Sequence, residues 1–330
     1  MVGGGICGGC NKLQSITPRY LPKLRSIGSF FDKGSPSSLT YCFELPVLEK
    51  SGYYAGSNSG SPTFACFKAP VLKSISGGAF SRAKFDSGAG DLVFPELEDI
   101  GGQAFQYSKL TSIRAPALTN LNTSAFSSCS ALTNAVFSDA FKIIAASAFD
   151  SCGALSRIEP LLPSGMTQIA SGAFGGGGNT AAKLAGTFVW DNPDIPEVPA
   201  KLMAKSPLSS VVFRSDVTAV RTNAFISLAP YAVVEFHGAT VPELDTLPFW
   251  RNGETANDRI RIRVCNSAAV EGWKALVAEN DALYKSTFRR KKPDYPGAGT
   301  LGILTLQNGK TTSYAWVTSD YPSGFSVLVR

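Results

Sequence analysis

The stretch TSAFSSCSALT (Thr123–Thr133) returns 23 positions later as ASAFDSCGALS (Ala146–Ser156). Self-similarity at a fixed period is the signature of a stacked repeat, and it outranks any local pattern. Working outward, the pair Ala-Phe recurs at Ala79-Phe80, Ala104-Phe105, Ala125-Phe126, Ala148-Phe149, Ala173-Phe174 and Ala224-Phe225. Four residues before each Ala stands an aliphatic residue: Ile75, Ile100, Leu121, Ile144, Ile169 and Val220. Successive Phe residues are 25, 21, 23, 25 and 51 positions apart. The last step holds two units, the extra one being VPAKLMAKSPLSSVVF (Val198–Phe213), with Leu202-Met203 in the place of Ala-Phe. Weaker copies stand at Ile27–Phe31 and near Ala55, so a unit of 21–29 residues repeats about nine times between Ile6 and Val234.

A unit this short cannot bury a core by itself. Stacked on its copies, it places each aliphatic and Phe position in a continuous internal ladder. After each Ala-Phe comes a segment such as LTSIRAP (Leu110–Pro116), LTNAVF (Leu132–Phe137), LSRIEP (Leu155–Pro160) or LSSVVF (Leu208–Phe213). These read as short strands, each pairing in parallel with its copy in the next coil. The small Ala permits close packing at a bend, and Ser, Asn and Gly supply the turns.

The pattern I-x3-A-F-x2-C-x2-L-x2-I, clearest in IAASAFDSCGALSRI (Ile144–Ile158), resembles the BspA-like (treponemal type) leucine-rich repeats over about Ile6 to Asn280. The resemblance implies a β-rich leucine-rich-repeat solenoid of short parallel strands and turns, belonging to a bacterial cell-surface or secreted protein that adheres to host matrix proteins or to other cells. Two departures stand out: Leu202-Met203, and the long insertion GGGGNTAAKL (Gly175–Leu184). IRVCNSAAVEGWKALV (Ile262–Val277) looks like the family's terminal unit, a last strand leading into a capping helix, with Cys265 where the family has Pro. Ser267 is the expected N-cap, and Val270, Trp273, Leu276 and Val277 make one apolar helical face. Such a helix would shield the open end of the ladder. The N-terminus lacks a cap: Ile6-Cys7 falls where Ala-Phe belongs, which points to further coils upstream.

Beyond the helix, Leu301–Leu306 and Thr311–Thr318 alternate like strands joined through Asn308-Gly309, a hairpin signal, with Phe325–Val329 as a third strand. Three segments are therefore expected: a solenoid over 1–264, a capping helix and linker over 265–294, and a small β-rich C-terminal module over 295–330. Tyr314, Trp316 and Tyr321 of that module suit packing or an oligomer contact better than a carbohydrate platform.

Composition narrows the function classes. The chain of 330 residues carries 32 Gly and a net charge of +6. No apolar run reaches the roughly 18–20 residues of a membrane helix. The start, MVGGGICGGC, has no basic segment followed by an apolar one, so it is not a signal peptide as it stands. The basic residues gather in RIRIR (Arg259–Arg263), where Ile260 and Ile262 would point inward, and in FRRKK (Phe288–Lys292). Neither run has a neighbouring aromatic platform, and no nucleic-acid partner is expected. Of the seven cysteines, Cys129 and Cys152 share one repeat position, and Cys42 and Cys66 share another in TYCFELP and FACFKAP. Cysteines recurring at the period read as small buried apolar residues rather than a disulfide framework. CGGC (Cys7–Cys10) has redox or zinc spacing, but the repeat register explains it, because CNKLQSI (Cys10–Ile16) aligns with CSALTNA (Cys129–Ala135).

Nothing in the sequence argues for an enzyme. The single histidine, His237 in VVEFHGATVP, has no neighbouring motif, and one His with scattered Cys lacks the spacing of zinc ligands. The acidic groups Glu96, Glu98 and Asp99, or Glu235, Glu243 and Asp245, read as solvated strand ends. GGGG at Gly175 lacks the Lys-Ser/Thr of a phosphate loop. No catalytic residue, cofactor or metal is expected. The sequence points to a non-enzymatic binding module whose partners are host matrix or cell-surface proteins, or glycans. Contacts are expected on exposed strand positions Thr111, Arg114, Asn134, Ser156, Arg157, Ser209 and Arg214. The alternative is a structural spacer within a larger surface protein. The oligomeric state is left open.

Overall fold

The computed structural model describes residues 19–28, 40–52, 62–86, 88–163, 165–175, 183–245, 248–250, 260–288, 300–308 and 311–319. The chain forms two compact units, residues 1–183 and 184–330.

In the first unit the aliphatic positions form a parallel ladder of two-residue strands: Lys50–Ser51, Ser74–Ile75, Asp99–Ile100, Asn120–Leu121, Ile143–Ile144 and Gln168–Ile169. Ile75 sits opposite Ile100, Ile100 opposite Leu121, Leu121 opposite Ile144, and Ile144 opposite Ile169. The first four of these side chains are fully buried. A second parallel ladder runs through Asp91–Val93, Ser112–Arg114, Asn134–Val136 and Arg157–Glu159. Its central residues Leu92, Ile113, Ala135 and Ile158 point inward, while their neighbours face out. A third ladder carries Arg19–Tyr20, Thr40–Glu44, Thr63–Lys68 and Lys84–Phe85. This is the β-rich leucine-rich-repeat solenoid that the spacing of Ala-Phe predicts.

The Ala-Phe pairs form the spine of that unit. Phe80, Phe105, Phe126, Phe149 and Phe174 stack with successive centroids 5.1, 5.1, 5.3 and 5.7 Å apart and rings within 6–10° of parallel. The Ala residues beside them are buried, leaving no side chain to hold neighbouring coils apart. The three inner Ala–Phe peptides, at Phe105, Phe126 and Phe149, are each used twice. The amide of Phe80 donates to the carbonyl of Ala104, that of Phe105 to Ala125, that of Phe126 to Ala148 and that of Phe149 to Ala173, at 2.7–2.8 Å. Two flanking chains run the same way, through Gly78, Gln103, Ser124 and Ser147, and through Arg82, Tyr107 and Ser128. Left-handed backbone brackets each turn. The residue before Ala (Gln103, Ser124, Ser147, Asn223) and the second residue after Phe (Arg82, Tyr107, Ser128, Ser151, Ser227) all have φ of 55–67°.

Cysteine takes two roles. Cys129 and Cys152 are fully buried at the turn, as expected, and each thiol donates to a carbonyl of the preceding coil, Phe105 at 2.9 Å and Phe126 at 3.0 Å. Ser108 occupies the same position one coil earlier, its hydroxyl 3.4 Å from Cys129 Sγ. The hydrogen bond with Cys129, and then burial, push the Cys152 thiol well above the ordinary range and keep it protonated. Cys42 and Cys66 depart from expectation. They lie between the inward-facing Tyr41 and Phe43, and Phe64 and Phe67, in register on adjacent strands with Cα atoms 4.4 Å apart, and they form a disulfide. Stacking brings equal repeat positions side by side, so a cysteine at that position in two consecutive coils finds a partner within bridging distance.

The second unit repeats the scheme. Gly186–Trp190, Leu208–Phe213, Val233–Phe236 and Ile260–Val264 pair in parallel. Glu197–Val198, Ala219–Val220 and Glu243–Leu244 form its short aliphatic ladder. Leu202-Met203 does replace Ala-Phe: both are fully buried, and the Met203 amide donates to the Ala224 carbonyl at 2.8 Å, the bond that Phe makes elsewhere. Phe225 stacks on Phe249 at 5.8 Å.

The helix spans Val270–Phe288, preceded by a 3-10 turn at Ser267–Ala269. Its N-cap is Asn266 rather than Ser267, because the Asn266 side chain accepts the Ala268 amide at 3.0 Å. Trp273 is buried against Phe236, with centroids 5.0 Å apart. Thr300–Asn308 and Thr311–Ser319 form the expected hairpin, and Thr311–Ser319 also pairs in parallel with Ile260–Val264. The helix therefore covers the aromatic end of the core, while the hairpin takes the backbone edge. Phe325–Val329, most of the Gly175–Leu184 insertion, Cys7–Cys10 and Arg289–Lys292 lie outside the described residues.

Candidate binding face

The outer face of the ladder Asp91–Val93, Ser112–Arg114, Asn134–Val136, Arg157–Glu159 is built by alternation. Each strand turns its middle residue inward and the two beside it outward. Register then sets outward residues in columns. Asp91, Ser112, Asn134 and Arg157 make one column, and Val93, Arg114, Val136 and Glu159 the next. Thr111, Thr133 and Ser156, one position upstream, are exposed.

The structure thus brings Thr111, Arg114, Asn134, Ser156 and Arg157 onto one face over three consecutive coils. Thr111 Oγ1 donates to Asp91 Oδ1 at 2.7 Å, as does Ser112 Oγ at 2.9 Å. Thr133 Oγ1 donates to the Thr111 carbonyl at 3.0 Å, and Ser156 Oγ to the Thr133 carbonyl at 3.3 Å. Arg157 is exposed and pairs with Glu159 at 2.6 Å, a hydrogen bond that raises its pKa. Asn134 is half-buried rather than exposed. Val93 is 55 % exposed and adds an apolar contact beside Arg114. Ser209 and Arg214 belong to the second unit. Both are exposed, at the start and just past the end of Leu208–Phe213, and Arg214 lies 3.9 Å from Asp191.

Sequence reading missed Asp91 and Val93, because their coil lacks the Leu-x-x-Ile spacing that marks its neighbours. It also missed a charge network in the second unit. There Arg221 contacts Glu197 at 3.0 Å, Glu243 at 3.0 Å and Asp245 at 3.4 Å, and its pKa is raised, first by the hydrogen bond to Glu197. Glu197 and Glu243 open, and Arg221 follows, equivalent strands of successive coils, so the network ties coils together. His237, which looked isolated, lies beside Glu235 and Cys265.

A family model described as "BspA type Leucine rich repeat region" matches in six copies, over residues 73–189 and 98–231. Residues 73–231 are thus BspA-type leucine-rich repeats. Their ladders at Ile75–Ile169 and Phe80–Phe174 are the spacing of the repeat made visible as stacking. Among solved structures, the crystal structure of the pneumococcal vaccine antigen PcpA is similar with a TM-score of 0.38 and 16 % identity, covering 81 % of this chain and 76 % of that one. No curated protein matches. Among the described residues, no helix of this leucine-rich-repeat chain is long and apolar enough to cross a membrane.

Proposed function

We propose that this leucine-rich-repeat chain is a non-enzymatic binding module of a cell-surface or secreted protein, with a protein or glycan partner on the outer strand face. The observation that supports this most is the division of labour along Asp91–Glu159. The inward column is apolar in every coil, whereas the outward columns mix Asp, Ser, Asn, Arg, Val and Glu. A regular scaffold with a variable, polar, partly apolar surface suits recognition spread over several coils. The Cys42–Cys66 disulfide fits an oxidising, extracellular setting. On this reading Thr111, Arg114, Asn134, Ser156 and Arg157 form one contact surface of the first unit, and Ser209 and Arg214 are contact residues of the second. Residues 1–264 serve as the solenoid, 265–294 as its cap and 295–330 as a terminal module.

The test is solid-phase binding of the purified chain to immobilised matrix proteins and glycans at low and high salt. Saturable binding that survives salt is expected. Arg114→Glu should weaken it at least about tenfold, or ~1.4 kcal/mol, while Lys142→Ala, exposed just before Ile143–Ile144 of a different ladder, should not. Binding that disappears in salt would reduce the interaction to net charge. Absence of binding across the panel would favour a spacer role.

A further inference from the structure

We propose that Glu235, His237 and Cys265 form a binding site for one zinc ion. Stacking brings the three together from two coils. Glu235 is the third residue of Val233–Phe236, and His237 follows that strand, so the two side chains emerge on the same side while Val234 and Phe236 are buried. Cys265 follows Ile260–Val264, whose Val264 is in register with Phe236, and its amide donates to the Phe236 carbonyl at 2.8 Å. His237 and Cys265 are therefore neighbours across a parallel ladder. The Glu235 carboxylate oxygen Oε2 lies 3.2 Å from His237 Nε2, and the ligand atoms of all three residues fall within 4.8 Å of one another.

The distances suit zinc. Ligand atoms at about 2.0–2.3 Å around a tetrahedral zinc are about 3.3–3.8 Å apart. The Glu–His separation of 3.2 Å is close to that requirement, and the outer limit of 4.8 Å leaves a closure of about 1 Å at most. The backbone under the site is fixed: the His237 amide donates to the Phe213 carbonyl at 2.9 Å, and Asn266 Nδ2 donates to the His237 carbonyl at 3.1 Å. Arg263 holds the other carboxylate oxygen, Oε1, at 2.9 Å, which orients Oε2 toward the imidazole as outer partners of metal ligands do. The donor set is one oxygen, one nitrogen and one sulfur. A thiolate with imidazole favours zinc over calcium or magnesium, which need several oxygens. Carboxylate and thiolate together neutralise the charge of the ion, and the fourth position is left to water. The nearby Arg263 guanidinium lowers the affinity below that of an all-cysteine site. His237 is the only histidine in the chain, so its role is accessible to a single substitution.

The full chain carrying Cys7→Ser and Cys10→Ser, which removes the other cysteine pair with zinc spacing, is titrated with Zn2+ by calorimetry and with Co2+ by absorbance. Binding of one ion per chain and a thiolate-to-cobalt charge-transfer band are expected. His237→Ala and Glu235→Gln should each weaken zinc at least about tenfold, and Cys265→Ser should also abolish the band. A second measurement needs no variant in the cluster: Zn2+ should slow alkylation of Cys265, read by peptide mass spectrometry, at least about tenfold. No zinc binding, a band unchanged in Cys265→Ser, or an alkylation rate indifferent to Zn2+ would each overturn the site.

Discussion

At Phe126 two interfaces meet in one side chain, with the ring 5.1 Å from Phe105 and 5.3 Å from Phe149. Removing it opens a void on both sides that a regular stack cannot close without moving two coils. Phe126→Ala should cost about 3–5 kcal/mol in urea unfolding, whereas Phe126→Leu should cost clearly less. Equal losses for the two would mean that the ring stack is not what holds the coils. This residue was legible in sequence, because the chain repeats the Ala-Phe pair at the same place in its period. The contrast is Cys42. Its recurrence at Cys66 was equally visible, but its outward orientation was not. That orientation turned an apolar filler into half of a covalent bond.

The turn around Ala-Phe shows where sequence reading stops at the scale of an element. Left-handed φ is held by Arg82, Gln103, Tyr107, Ser124, Ser128, Ser147 and Ser151, none of them Gly or Asn. Only Gly78 and Gly172 announce the conformation in their type. The cause is cooperative: amides on both sides of each turn bond to the next coil and impose the backbone on whatever side chain stands there. Left-handed backbone is a genuine outlier for β-branched residues. Ser124→Val should therefore lower stability by about 1–2 kcal/mol, while Ser124→Gly should be neutral or mildly stabilising. A thermal melt that ranks Val at or above Gly would contradict the assigned backbone. The helix start follows the same lesson. Asn266 and Ser267 are both competent caps in sequence, and the choice falls to Asn266 because its amide group also reaches the His237 carbonyl.

For the molecule as a whole, repetition makes a coil a removable part. Deleting residues 123–145 joins Asn122 to Ala146 and takes out one complete period of 23 residues. Leu121 then stands in the place of Ile144, and Phe105 faces Phe149. The shortened chain should fold, with a urea m-value reduced in proportion to the surface lost. Deleting Thr123–Thr133 alone should not give a cooperative transition, and a cooperative transition from it would refute the coil boundaries. The repeat was legible at this scale because each period restates the same burial. The cluster of Glu235, His237 and Cys265 was not, because Cys265 lies 28 residues beyond His237 and meets it only once strand register is known. The amide chains of the first unit carry one more implication. Every Ala–Phe peptide from Ala79 to Phe149 points its N–H toward the later coil, and two flanking rows do likewise. Aligned peptide dipoles add, as they do along an α-helix. The turn ridge is thus an electrically polar rod laid across the stack, partially negative at the Ala79 coil and partially positive at the Phe174 coil. Arg82 sits at the negative end. Each added coil lengthens the rod, so the repeat number sets how far apart its two poles stand.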